Sequence, residues 1–143
     1  MKRRQLVIAG FGTLLLRPAA ATPESMQAAI AAWCGGATPK DGRVVLEIAP
    51  LIDNGNAVPV TLRVESPMTP AEHVRELALF NEKNPNTEVV VFHLGPRCGL
   101  AQVATRIRLA TSQQLVALAK MNDGSVWQTR VDVIVTLAAC IES

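Results

Sequence analysis

Tyrosine is missing from this chain altogether, and aromatic residues of any kind make up only 3% of it. A surface that grips single-stranded nucleic acid needs rings to stack on as well as positive charge, so that class is excluded. Charge is also scarce, at 18%, against 49% hydrophobic residues, a balance that excludes a disordered chain. Cysteine occurs three times, at Cys34, Cys98 and Cys140, with no C-x-x-C pair and no zinc-type spacing. No apolar run reaches the roughly 20 residues that span a bilayer, and no internal repeat stands out. What remains is 143 residues, a length that suits one domain around one core.

The formal charge of +2 is misleading. Lys2, Arg3, Arg4 and Arg17 fall in the first 21 residues with no acid among them. Taking these four from the 14 basic residues leaves ten against 12 acidic, so the remainder carries about −2 and no basic patch. The segment reads as an export signal: a charged start, a short apolar run from Leu6 to Leu16, and small residues at Ala19-Ala20-Ala21 for cleavage. Arg3-Arg4 before Gln5-Leu6-Val7, with a weakly hydrophobic run, resembles a twin-arginine (Tat) signal, the alternative being an ordinary Sec signal. Both lead out of the cytoplasm. The expected organisation is a signal over 1–21, a folded domain over 22–137 and a C-terminal arm over 138–143.

Thr22-Pro23-Glu24 supplies a cap, a proline suited to the first turn and an acid at the positive end of the dipole. Met26, Ala29, Ile30 and Trp33 then repeat at helical spacing, and Gly35-Gly36 ends the helix. After Gly42 the pattern changes to strands. Val58, Val60, Leu62 and Val64 alternate with other residues, and Pro59, which has no amide to donate, argues for a strand at or near an edge. Asn54-Gly55 and Asn122-Asp123-Gly124-Ser125 mark turns. Thr69-Pro70-Ala71-Glu72 reads as a helix start giving one turn before a strand to Phe80. Gln113 to Met121 is apolar enough to be helical. In Val126–Leu137, Val131, Val133, Val135 and Leu137 share a face. About seven short strands, evenly spaced, predict an all-β fold: an immunoglobulin-like antiparallel sandwich with one short N-terminal helix.

Four groups of residues carry possible chemistry. Cys140 stands beyond the last strand, where chain ends are usually accessible. Glu142 and the terminal carboxylate oppose formation of its thiolate, which suits a carried thiol activated by another protein better than a self-sufficient catalyst. The other reading is that the strand continues and Cys140 packs as a small apolar residue or pairs with another cysteine. Cys34 and Cys98 are candidates for a disulfide in an oxidising compartment, the alternative being two separate thiols. His93 with Cys98, joined by His73, matches no standard metal spacing, so no metal site is expected. Arg106 and Arg108, two apart on one strand, share a face and offer either an anion site or a solvated surface.

Several stretches together resemble the SoxY family, the carrier subunits of the bacterial thiosulfate-oxidising system. They are Ala49-Pro50 with Asp53-Asn54-Gly55-Asn56, Val58-Pro59-Val60 and Ser66-Pro67-Met68-Thr69. Asn84-Pro85-Asn86, Phe92-His93, Thr105 to Ala110 and Asp123-Gly124-Ser125-Val126 continue the likeness. It implies a periplasmic protein that is not an enzyme and needs no cofactor. It also implies pairing with a SoxZ-like subunit and sulfur held covalently on the cysteine of a Gly-Gly-Cys-Gly-Gly arm, at the position of Cys140. A c-type cytochrome enzyme would load thiosulfate there and a hydrolase would release sulfate. The flanking glycines are here Ala138, Ala139, Ile141 and Glu142, making a stiffer arm. Two other functions compete: a SoxZ-pairing subunit with an inert tail, and a sulfurtransferase, for which no His or second Cys stands near Cys140 in sequence.

Overall fold

The computed structural model describes residues 21–139; residues 1–20, nearly all of the expected export signal, and residues 140–143, with Cys140 and Ile141 of the expected arm, lie outside the described residues. The first element is helix α1 (Pro23–Cys34). Thr22 caps it, its hydroxyl accepting from the Ser25 amide at 3.1 Å while Ser25 accepts from the Thr22 amide at 2.7 Å. Gly35, left-handed at φ 60°, ends it. Its apolar face buries Met26, Ile30 and Cys34.

Nine strands follow among the described residues: β1 (Lys40–Asp41), β2 (Val44–Glu47), β3 (Leu51–Ile52), β4 (Val58–Val64), β5 (Val74–Asn81), β6 (Glu88–His93), β7 (Gln102–Ile107), β8 (Gln113–Met121) and β9 (Val126–Val135). The larger sheet runs β1-β9-β8-β5-β6, with β3 also laid on β9; the smaller runs β2-β4-β7. All pairs are antiparallel except β1 and β3, which add two residues each alongside β9 in parallel. The sandwich core lies between the sheets and includes Val60, Leu62, Leu77, Leu79, Leu115, Ala117 and Val133. Helix α1 covers the outer face of the larger sheet, where Ala78, Phe80, Val116 and Leu118 meet Met26 and Ile30.

This double cover explains β8. The segment 113–121, helical by composition, is a central strand paired with β5 and β9, and nearly every residue in it is buried. A strand covered on both faces loses its period-two alternation, so composition alone misassigns it. Thr69–Glu72 forms a turn instead of a helix. The Thr69 hydroxyl does accept from the Glu72 amide at 3.1 Å, but the Thr69 amide donates to the Glu72 carbonyl at 2.8 Å and closes the loop. Pro59 sits in the middle strand of the three-stranded smaller sheet, one strand in from either edge. Its missing amide is tolerated because β2 ends at Glu47 opposite Thr61, leaving β4 a partner on one side only at Pro59. Leu137, expected on the buried face with Val133, is 60% exposed, because the ladder ends at Val135 and the chain turns away.

Candidate functional site: the root of the C-terminal segment

Three separated parts of the chain meet where β9 ends. The Gly55 amide donates to the Leu137 carbonyl at 2.8 Å, the Leu109 amide to the Gly55 carbonyl at 2.8 Å, and the Ala139 amide to the Leu109 carbonyl at 3.1 Å. Just before this, the Thr136 amide donates to the Ile52 carbonyl at 2.9 Å, and its hydroxyl reaches the Asp53 carbonyl at 3.2 Å. The junction needs a glycine. A Cβ on Gly55 would stand 2.4 Å from the Leu109 oxygen and 3.0 Å from the Ala139 nitrogen, both backbone atoms that cannot swing aside.

A side-chain network holds the Leu109 limb. Asn84 donates to the Arg108 carbonyl at 2.8 Å, and its Oδ1 accepts from the Ala110 amide and from Gln113, each at 2.9 Å. Ser112 accepts from the Val135 amide at 2.8 Å, fixing the end of β9. Held in this way, Ala139 is 8% exposed, whereas Ala138, between two bonded neighbours, is exposed. The arm expected to begin at Ala138 is thus fastened to the sandwich through Ala139, and Cys140 is the next residue. Cys140 and Ile141 themselves lie outside the described residues.

The surface beside the root carries exposed apolar side chains. Leu51 and Ile134 are register partners across β3 and β9, 56% and 60% exposed, and Leu137 lies three residues beyond Ile134. An open groove of about 530 Å³ runs from Asp53 and Asn54 past Ile48 and Ala49 to Pro59. Arg106 on β7 and Arg108 just beyond its end are exposed in the stretch leading to Leu109, and neither makes an ion pair among the described residues.

The remaining candidates lie apart from the root. The Cys34–Cys98 disulfide is not formed: both are free thiols. Cys34 packs under α1 on the outer face of the larger sheet, and Cys98 is exposed in the 3-10 turn (Pro96–Cys98) that carries the chain from β6 to the other sheet. Burial pushes the Cys34 thiol up, with Lys120 opposing in part. His93 stands 3.5 Å from Glu76, which Lys120 also contacts at 3.1 Å, while His73 Nδ1 lies 3.0 Å from the Thr69 carbonyl. Among the described residues no three His, Cys, Asp or Glu side chains gather as a metal site. Sequence reasoning missed Gly55, Leu109 and Asn84. Asn54-Gly55 signalled a turn, which it is, with Asn54 accepting from the Asn56 amide at 3.0 Å, but nothing local reveals that Gly55 also admits two other backbones.

The fold is a sandwich of two unequal sheets with the end of the described chain fastened to its edge. Residues 30–140 match the family described as sulfur oxidation protein SoxY, and the chain belongs to that family. No curated protein matches it. Among solved structures, a candidate superoxide reductase from Thermotoga maritima is 20% identical, covering 68% of this chain and 93% of its own, with a TM-score of 0.59. A variant of the Ignicoccus hospitalis superoxide reductase (neelaredoxin) is 21% identical, covering 90% and 99%, with a TM-score of 0.58. The Nanoarchaeum equitans superoxide reductase is 14% identical, covering 68% and 99%, at 0.56. At these identities the likeness is one of fold.

Proposed function

We propose that this protein is an exported, non-enzymatic sulfur carrier that holds thiosulfate-derived sulfur covalently on Cys140. Its membership of the SoxY family places it in sulfur oxidation. The observation that carries the finer reading is the fastening of the backbone through Ala139, whose amide reaches Leu109 at 3.1 Å immediately before the thiol-bearing residue. A cargo on the following residue is then presented at a fixed edge of the sandwich, so a partner enzyme must come close to reach it. The exposed Leu51, Ile134 and Leu137 beside the root suit such close docking.

Loading joins the Cys140 sulfur to the outer sulfur of thiosulfate. The product is Cys140–S–S–SO₃⁻, one proton leaves, and two electrons pass to an oxidant of the c-type cytochrome class. Hydrolysis by a separate enzyme consumes one water, releases sulfate and two protons, and leaves a persulfide anion on Cys140. The protein supplies the attachment atom and its presentation; the partners supply the oxidant and the hydrolytic machinery. A SoxZ-like subunit is the proposed pairing partner and the periplasm the proposed compartment, reached through the twin-arginine route.

Intact-mass analysis of the protein from cells oxidising thiosulfate, with its partner system present, tests the reading. Sulfur-containing adducts that disappear in Cys140→Ser are the expected result. An unmodified Cys140 would leave a SoxZ-pairing subunit with an inert tail.

A further inference from the structure

Asn54 is the only asparagine in the chain that is followed by glycine. Such a pair is chemically labile, because glycine has no side chain to hinder its nitrogen. That nitrogen, once deprotonated, attacks the side-chain carbonyl carbon of the asparagine. Ammonia leaves and a five-membered succinimide remains, which one water then opens to aspartate or to isoaspartate.

At this pair the fold readies the electrophile and withholds the nucleophile. Asn54 is exposed, so water reaches it and ammonia can leave. Its Oδ1 accepts from the Asn56 amide at 3.0 Å and from Asn56 Nδ2 at 2.9 Å. Cyclisation gathers negative charge on that same oxygen, where two donors already stand. Gly55, by contrast, is buried, and its amide donates to the Leu137 carbonyl at 2.8 Å. An amide engaged in this way keeps its proton, and its nitrogen is not free to turn onto the Asn54 side chain. The surrounding backbone fixes it there. The Gly55 carbonyl accepts from the Leu109 amide at 2.8 Å, and the Leu109 oxygen and Ala139 nitrogen crowd its Cα so closely that a Cβ would stand 2.4 and 3.0 Å from them.

We propose that Asn54 is a latent deamidation site, held silent by the bond from the Gly55 amide to the Leu137 carbonyl and armed when the segment from Leu137 to Ala139 lifts from the sandwich. Isoaspartate routes the main chain through the former side chain and so inserts one methylene just before Gly55. The Gly55 amide and carbonyl then no longer meet Leu137 and Leu109 together in so close a space, and a segment that has lifted stays loose. The junction thus records its own opening irreversibly, and it does so whether or not the chain carries sulfur.

The test uses the full chain and reads two rates in the same samples. One is the appearance of aspartate and isoaspartate at residue 54, by peptide mapping of timed incubations. The other is hydrogen exchange at the Gly55 amide. Both require the same opening and both rise with hydroxide, so both follow the open population. Deamidation of the folded parent should be far slower than that of the chain unfolded in urea. Ala139→Pro removes the amide that donates to Leu109, and in it both rates should rise by the same factor, about tenfold, the scale of one lost backbone hydrogen bond. Urea below the unfolding transition of the parent varies the same opening without a substitution, and there too the two rates should climb in proportion. Deamidation as fast in the folded parent as in the unfolded chain overturns the latch. So does deamidation that stays constant while Gly55 exchange quickens, since the protection would then reside in the Asn54 side chain itself. In the purified isoaspartate form, exchange at the Ala139 and Leu109 amides should be faster than in the parent. Full protection of those two amides would overturn the irreversible record.

Discussion

The Ala139 amide donates to the Leu109 carbonyl 30 residues earlier in the chain, at 3.1 Å, and this bond ties the end of the described chain to the limb after β7. The described chain is therefore bound to the sandwich up to Ala139, its last described residue. Under the proposed carrier role, partner enzymes would have to approach this edge of the sandwich.

Gly55→Ala should dislodge that anchor. The added methyl would meet the Leu109 oxygen at 2.4 Å, and relief requires moving a backbone that Asn84 and Ser112 hold. A loss of about 1–3 kcal/mol is expected, on the scale of overpacking a closed site. Amide exchange at Ala139 and Leu109 should quicken more than exchange in β5. Unchanged exchange at those two amides would show that the junction relaxes freely.

The two described thiols should differ sharply in reactivity. Cys98, exposed, should alkylate in the native protein, while Cys34, 6% exposed, should react only on unfolding. The pH dependence has a definite sign. Burial raises the Cys34 pKa above 9.0, so between 9.0 and its folded value the unfolded chain releases a proton that the folded chain keeps. Cys34 therefore costs nothing at neutral pH and erodes stability as pH rises above about 9. Cys34→Ala, compared with the parent at pH 8 and pH 10, should reduce the loss of stability between them. A larger loss in the variant would reverse this assignment.

Pairing with a SoxZ-like subunit should cover exposed apolar surface near the root. Leu51→Asp with Ile134→Asp, two charges placed across one β3–β9 register pair, should weaken such a complex at least tenfold while leaving the isolated chain's melting temperature within a few degrees. Sedimentation of the co-expressed pair reads it. Undiminished association would place the interface elsewhere, with the outer face of the smaller sheet as the next surface to probe.

Export should depend on the paired arginines. Arg3→Lys with Arg4→Lys should trap the precursor in the cytoplasm, scored by the size of the accumulated form. Normal processing would assign the signal to the Sec route.

Much of the sandwich was legible in the sequence because half-buried strands write their faces in alternation. Val58, Val60, Leu62 and Val64 are all buried, with Pro59 and Arg63 exposed between them. The helix was legible from its ends, Thr22 and Gly35. Long-range facts were not. That β8 lies under both a helix and a second sheet erases its alternation, and Pro59 escapes the rule for central strands only because β2 stops at Glu47. The same holds at the site. Cys140 and the arginine pair stand out by residue type, whereas Gly55 matters through its approach to Leu109 and Ala139, 54 and 84 residues away in sequence. The Cys34–Cys98 pairing drew on compartment and count, which say nothing of the separate elements that the two thiols occupy.

Helix α1 has a consequence for the order in which the chain assembles. It precedes in the chain the strands that it rests on, which come much later: Lys120 reaches back 87 residues to the Trp33 carbonyl at 2.9 Å, and its ammonium lies 4.3 Å from the centre of the Trp33 ring. Until β8 is made and paired, the Met26–Ile30 face has nothing to cover it. Folding is therefore governed by contacts distant along the chain and belongs in the slow, millisecond-to-second regime of β-rich domains. Trp33, edge-on to Phe80 with centroids 6.3 Å apart, is the natural optical reporter of the closing event. In refolding, the signal that Trp33 adds over a Trp33→Phe variant should appear no sooner than protection of the β5 and β8 amides. If it came first, the helix would have found its place before its platform existed.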